Sequence, residues 1–414
     1  MTSYCKRFTF APARDRFNKD LRHRDNRNIM GWFEVVGEDA IKNGKCTDIY
    51  FRRVVEVMER DGINPHVTME VTASMLPDPW GVFCGLDDVI KLLEGLPVDV
   101  DAMPEGSIFF KNEPVLRVSG RYRDFAVYET AILGFLCHAS GVASAAAWMK
   151  LAAGGRPVFS FGSRRQHPAI AAMIERAAWI GGADAVSNTC APDGIPLAGT
   201  MPHAFVMCYP EQEDAWLAFA QGAGPEVPRI MLADTFSDET DEAVRAAASG
   251  ATAVRLDTPR SRRGDMRAII EEVRWELDVN GYADVKIFLS GGLSRAEVAA
   301  YRDVADAFGV GGAIANAPVI DFSMDIVEMK GRPYAKRGKR SSAKQVYDLP
   351  AGRRLVLPAR TPAPKGAVPL LAPCIKNGVA LVRPKMEDAR ERVLSRLSTC
   401  RGGIGGRPAP ILIM

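Results

Sequence analysis

VKIFLSGG at residues 285–292 and DAFGVGG at 306–312 decide the fold. Each is a short apolar run that reads as a strand, and each ends in a glycine pair. The same rhythm recurs N-terminal to them in PVFSFGSRR (157–165), ADAVSNT (183–189), PLAGTMPHAF (196–205), RIMLADTF (229–236) and TAVRLDTPR (252–260). Helical stretches such as AIAAMIERAAWIG, DETDEAVRAAASG and GDMRAIIEEVRWELDVNG intervene. Strand, turn and helix in alternation predict a mostly parallel β/α sheet. About seven such strands without a reversal predict a barrel rather than an open doubly wound sheet.

The polar residues gather at one end of this pattern. Arg164, Arg165, His203, Asp234, Arg255, Asp257 and the pair Gly291–Gly292 all stand at or just beyond the carboxyl ends of strands, where folds of this kind collect their ligands. Two adjacent arginines offer planar forks for a carboxylate or phosphate, or for an acidic wall of the protein itself. In VRLDTP, Arg255 and Asp257 alternate, so they share a strand face while Leu256 points away; Asp257 suits a sugar hydroxyl or a histidine and Arg255 an aromatic acid or a leaving group, with a buried salt bridge as the alternative. The two glycine pairs let backbone N–H groups approach an anion. His203 reads as a core imidazole, a base or a nitrogen nucleophile. Asp48 reads as a helix cap and Tyr50 as packing.

Bulk composition limits the alternatives. At 414 residues, 47% apolar and 25% charged, the chain has room for two or three domains and a sizeable core. No uninterrupted apolar run reaches roughly 18 residues, and MTSYCKRFTFAPARDRF lacks a secretory apolar stretch. A cytoplasmic protein without a membrane partner is expected. Eight cysteines lie scattered without a CxxC pair, and five histidines stand singly. Reduced thiols and no metal site are expected. Residues 331–414 carry 18 Lys and Arg against 4 acidic side chains, whereas the middle of the chain is acidic. That tail suits an acidic surface on its own chain or a neighbouring subunit, or a phosphate. KRGKRSSAK lacks aromatic interleaving, so nucleic acid is not the expected partner.

Four regions follow from these patterns. Residues 1–40 read as an N-terminal extension and 41–125 as a small α/β domain containing the first helix. Residues 126–330 read as the α/β barrel and 331–414 as a basic C-terminal segment or small domain.

TDIYF, GLPVDVDAMPEGSIFF, YRDFAVYETAILGFLCHASG, FGSRRQHPAI, GGADAVSN, GTMPHAF, PRIMLADTFSDE, VRLDTPRSRRGD, IFLSGGL and AFGVGGAIANAP together resemble the nicotinate phosphoribosyltransferase family, in its compact archaeal and bacterial branch. The resemblance implies an irregular seven-stranded α/β barrel of the type II phosphoribosyltransferase kind, preceded by a smaller α/β domain. It implies a homodimer or higher homo-oligomer with sites near subunit interfaces. The implied reaction joins nicotinate to 5-phosphoribosyl 1-pyrophosphate, with Mg²⁺, releasing pyrophosphate; ATP is the implied co-substrate, phosphorylating His203. By the same resemblance Tyr50 stacks on the pyridine ring beside Asp48, Arg164 and Arg165 contact anions, and Asp234 and Thr258 bind substrate. Arg255 and Asp257 join His203 as the catalytic set, with Asp257 on a ribose hydroxyl. Ser290, Gly291, Gly292, Gly309, Gly311 and Gly312 surround the 5-phosphate.

Two departures stand out. Gly312 and Ala313 occupy positions where relatives carry a hydroxyl, and YAKRGKRSSAK is followed by no cysteine-rich knuckle, only the single Cys374. The alternatives are a phosphoribosyltransferase of the same fold acting on another base, and a non-catalytic phosphate-ligand sensor or assembly module.

Overall fold

A computed structural model describes residues 33–262, 264–349, 353–400 and 412–413. The chain forms two compact units, Met1–Cys46 and Thr47–Met414. The described part of the first holds a five-residue helix, Glu38–Lys42.

The second unit opens with helix α1 (Ile49–Arg60), preceded by Asp48 in extended backbone. Strands β1 (His66–Ala73), β2 (Val98–Ala102) and β3 (Pro114–Arg121) follow. In β1 the apolar Val67, Met69, Val71 and Ala73 alternate with Thr68, Glu70 and Thr72, the two-residue period that separates the faces of a strand. Glu70 is buried on the polar face, where it accepts hydrogen bonds from the Lys344 amide at 2.6 Å and from Lys344 Nζ at 2.8 Å. Four later stretches complete an antiparallel sheet of seven strands: Arg332–Pro333, Phe322–Met329, β1, β3, β2, Ala372–Lys376 and Val379–Ala380.

Helix α2 (Glu129–Ala152) is apolar on every side, as expected of a helix enclosed by protein. On length and composition the span Tyr122–Ala152 is long and apolar enough to cross a membrane, although polar residues such as His138, Ser140 and Ser144 interrupt it. In this fold Ile132, Leu136, Val142 and Met149 of that helix are buried in the core.

The parallel sheet consists of β4 (Val158–Ser160), β5 (Ala185–Val186), β6 (Ile230–Leu232), β7 (Ala253–Leu256), β8 (Lys286–Leu289) and β9 (Ala307–Val310). Its order is β5-β4-β9-β8-β7-β6, with every pairing parallel. The seventh expected strand, in PLAGTMPHAF, is reduced to one parallel bridge between Leu197 and Val186. Pro196 lacks an N–H and accepts through its carbonyl from the Val186 amide. The fold is therefore the expected α/β architecture of the type II kind, a curled parallel sheet with a separate N-terminal domain. Phe159, Phe161 and Phe288 meet with ring centroids 5.4–6.5 Å apart. Arg255 lies in register with Phe288.

The C-terminal helix α3 (Met386–Cys400) buries Ala389, Val393 and Leu397 in the main core. Its arginines pair within the chain: Arg390 with the Trp179 and Ala183 carbonyls, Arg392 with the Glu105 carbonyl and Arg396 with Asp348.

Candidate active site

The ends of β6, β7 and β8 bring four of the expected residues into one network. β7 carries Arg255, and Asp257 lies just past its end; β6 is followed by Asp234 and β8 by Ser290. Asp234 Oδ2 accepts from the Asp257 amide at 2.7 Å, and Ser290 Oγ donates to Asp257 Oδ1 at 2.6 Å. His203 starts a short helix, His203–Val206, directly after Pro202. Its Nε2 lies 3.7 Å from both Asp234 Oδ1 and Asp257 Oδ2. That distance makes the carboxylates charge neighbours rather than close hydrogen-bond acceptors. His203 Nδ1 lies 3.2 Å from Thr235 Oγ1.

The electrostatics follow from this geometry. The Asp257 carboxylate, joined by that of Asp234, holds the His203 imidazole above its usual pKa against the opposing effect of burial. Burial pushes Asp234 up to about 6; its side chain is only 3% exposed. Burial also acts on Asp257, but His203, Ser290 and Arg255 together bring its carboxyl below the usual range. Burial lowers the Arg255 pKa, and the positive charge of Arg164 adds to that effect. Arg255 donates from Nη2 to the Met201 carbonyl at 2.9 Å. The buried Arg255 Nε and Asp234 Oδ1 have no protein hydrogen-bond partner. A buried donor and a buried acceptor left without protein partners suit a polar ligand.

Most of the remaining expected residues lie on the loops that follow the parallel strands. Arg164 and Arg165 are exposed on the turn Ser163–Arg165 after β4. Gly162 makes that turn possible: a Cβ there would stand 2.5 Å from Ala315 Cβ and 2.6 Å from the Gly311 carbonyl oxygen. Gly291 and Gly292 have φ of 93° and 75° after β8, backbone that glycine adopts freely. Gly309 is within β9 against the Phe161 ring, and Gly311 and Gly312 lead into the four-residue helix Gly312–Ala315. Thr258 Oγ1 donates to Glu239 Oε1 at 2.7 Å.

Asp48 and Tyr50 belong to a different neighbourhood. Asp48 accepts from Thr130 Oγ1 at 2.9 Å, while Tyr50 is 54% exposed with its ring 4.4 Å from that of Phe51. No contact ties either to His203. Reading the sequence alone missed Thr235 and the Met201 carbonyl, which hold His203 and Arg255. Thr235 adjoins Asp234 in LADTF, so its proximity to the strand end was the available signal. Among the described residues, no group of three or more His, Cys, Asp or Glu is disposed to hold a metal ion.

A curled parallel sheet with this acidic, basic and glycine-rich rim defines a phosphoribosyltransferase, and comparison with known proteins agrees. The family model for the quinolinate phosphoribosyl transferase N-terminal domain matches residues 48–140, and that for the C-terminal domain matches residues 142–325. The chain belongs to the quinolinate phosphoribosyl transferase family. A crystal structure of nicotinate-nucleotide pyrophosphorylase from Pyrococcus furiosus is 51% identical, with a TM-score of 0.87 over 89% of this chain and 98% of that one. A nicotinate phosphoribosyltransferase of Mycobacterium tuberculosis is 31% identical, covering 87% of this chain and 91% of its own. The human nicotinic acid phosphoribosyltransferase structure, at 21% identity and a TM-score of 0.71, shares the fold.

These findings correct part of the sequence reading. Assignment to the nicotinate-specific family gives way to the quinolinate-type family, whose models match both domains. ATP as co-substrate and phosphorylation of His203 were implied only by that resemblance and fall with it. The site offers a sufficient physical reason for His203 without a phosphoryl group, since the imidazole is held as the ionic partner of two carboxylates. The alternative of a non-catalytic sensor gives way to an enzyme of the phosphoribosyltransferase class.

Proposed function

We propose that the chain transfers the phosphoribosyl group of 5-phosphoribosyl 1-pyrophosphate to the ring nitrogen of quinolinate, releasing pyrophosphate and carbon dioxide and leaving nicotinate nucleotide. The observation that carries this reading is the opposition of Arg255 and Arg164 to the Asp234–His203–Asp257 group at the strand ends. An anionic aromatic acid and a diphosphate both need cations, whereas a ribose carbon that becomes positive needs nearby carboxylates.

In the transfer step the ring nitrogen lone pair forms the bond to C1 as the C1–oxygen bond breaks, its electron pair departing with pyrophosphate. The substrate is taken as its magnesium salt, and Arg164, Arg165 and Arg255 are assigned to its leaving group and to the base carboxylates. Asp257 and Asp234 face the sugar, with Thr258 alongside. Ser290, Gly291, Gly292, Gly309, Gly311 and Gly312 are assigned to the 5-phosphate through backbone N–H groups. Quinolinate carries two carboxylates and nicotinate nucleotide one, so a C–C bond must break. The pyridinium formed by transfer accepts the electron pair left at C2, which then takes a proton.

Asp48 and Tyr50, exposed and remote from His203 in their contacts, are assigned to the base of a neighbouring subunit in a cytoplasmic homo-oligomer. The test is turnover of the magnesium salt of phosphoribosyl pyrophosphate with quinolinate, nicotinate or nicotinamide, with the nucleotide identified by mass. Product from quinolinate supports the reading; product from nicotinate alone overturns it.

A further inference from the structure

Residues Thr235–Ser237 lie in the loop between β6 and the helix Glu239–Ala248. Asp238 caps that helix from the surface, accepting from the Thr240 and Asp241 amides. Glu242, one turn further on, is fully buried and turns back toward the loop. Its Oε2 accepts from the Thr235 amide at 2.8 Å and from Gln212 Nε2 at 2.6 Å. Its Oε1 accepts from the Phe236 amide at 2.6 Å and the Ser237 amide at 2.7 Å. Three consecutive backbone N–H groups thus converge on one carboxylate, an arrangement that fixes loop backbone rather than merely terminating a helix.

Thr235 passes this constraint on, for its hydroxyl lies 3.2 Å from His203 Nδ1. We propose that Glu242 is a positioning residue of the phosphoribosyl-transfer site, fixing Thr235 and through it the orientation of the His203 imidazole between Asp234 and Asp257. The inference rests on His203 belonging to that site. The charged groups facing the ring are Asp234, Asp257 and Arg255. The role requires a carboxylate, because a primary amide has one acceptor oxygen and would turn an NH₂ toward backbone donors.

The test combines Glu242→Gln with Thr235→Val and follows the His203 imidazole by NMR titration alongside steady-state kinetics. Glu242→Gln is expected to lower kcat by roughly tenfold to a hundredfold, with the Michaelis constant for phosphoribosyl pyrophosphate little changed. It is expected to shift the His203 titration to lower pH, as Thr235→Val does, while Thr235→Ser preserves both. Because the residues act in series, the double variant is expected to be no worse than the more impaired single variant. A Glu242→Gln protein that melts earlier but keeps its kcat and His203 titration overturns the proposal, as do effects that multiply in the double variant. Should Glu242→Gln fail to fold, Glu242→Asp, which withdraws the carboxylate from the amides while keeping its charge, is read by the same criteria. The titration needs no substrate. A shifted titration in an enzyme inactive on every base upholds the Glu242 link and overturns the functional reading; an unshifted one in an active enzyme overturns the link alone.

Discussion

Ser290 and Asp257 stand beyond the ends of two adjacent parallel strands, and the Ser290 hydroxyl donates to Asp257 Oδ1 at 2.6 Å. This bond helps to keep Asp257 ionised, so the folded-state pKa lies below the usual value. The associated stability is present above the unfolded-state pKa and is lost as pH falls through the folded one. Ser290→Ala removes a bond to a charged acceptor, worth roughly 1.5–3 kcal/mol. The acid limb of the kcat/KM profile should therefore move to higher pH. An unmoved limb would show that Asp257 ionisation does not control turnover.

His203 works in the opposite sense. Its pKa is raised in the fold, so its contribution to stability is present below the unfolded value near 6.5 and is lost as pH rises through the folded value. Asp234, raised to about 6 from 3.8, makes stability decline as pH rises between those values, because the unfolded chain releases its proton first. His203→Gln should abolish the upper part of this dependence. Melting temperatures from pH 5 to 9 would read it, and a decline above pH 6.5 that persists in the variant would assign it to another group.

Arg255→Lys keeps the charge but loses the fork that reaches Met201. A kcat/KM reduction of roughly a hundredfold is expected from the displaced cation, with a smaller loss of stability from the unpaired carbonyl. Kinetics equal to the unmodified enzyme would remove Arg255 from the site.

Arg164 and Arg165 are exposed, so replacing both with alanine should change stability by no more than roughly 0.5 kcal/mol. Substrate affinity is expected to fall. Unaltered Michaelis constants for both substrates would make this turn ordinary surface.

Gly162→Ala tests the packing beneath that turn. Its Cβ would meet the Gly311 carbonyl oxygen at 2.6 Å, a backbone atom that cannot swing aside. A loss of roughly 1–3 kcal/mol is expected in chemical denaturation; an unchanged midpoint would mean that the two loops separate easily.

What was legible in the sequence was mostly local. Alternation in VRLDTP put Arg255 and Asp257 on one strand face because a strand repeats every two residues, and Leu256 between them is fully buried as that period requires. The glycine pairs after β8 and β9 were visible because each closes a short apolar run. Glu242 was not, since in DETDEAVRAAASG it looks like one more acid on a solvated helix; only the return of the chain over Thr235–Ser237 buries it. The seven-stranded antiparallel sheet likewise draws strands from residues 322–333 and 372–380, a pairing no local pattern announces. Assignment to the nicotinate-specific family failed because phosphate and ribose motifs can be retained when the acceptor base changes.

The central claim is tested most directly with quinolinate labelled in its 2-carboxyl group, supplied with the magnesium salt of phosphoribosyl pyrophosphate and no ATP. Equal release of labelled carbon dioxide and pyrophosphate, abolished in Asp257→Asn, is the predicted result. Inert quinolinate beside ready pyrophosphate release with nicotinate would contradict it.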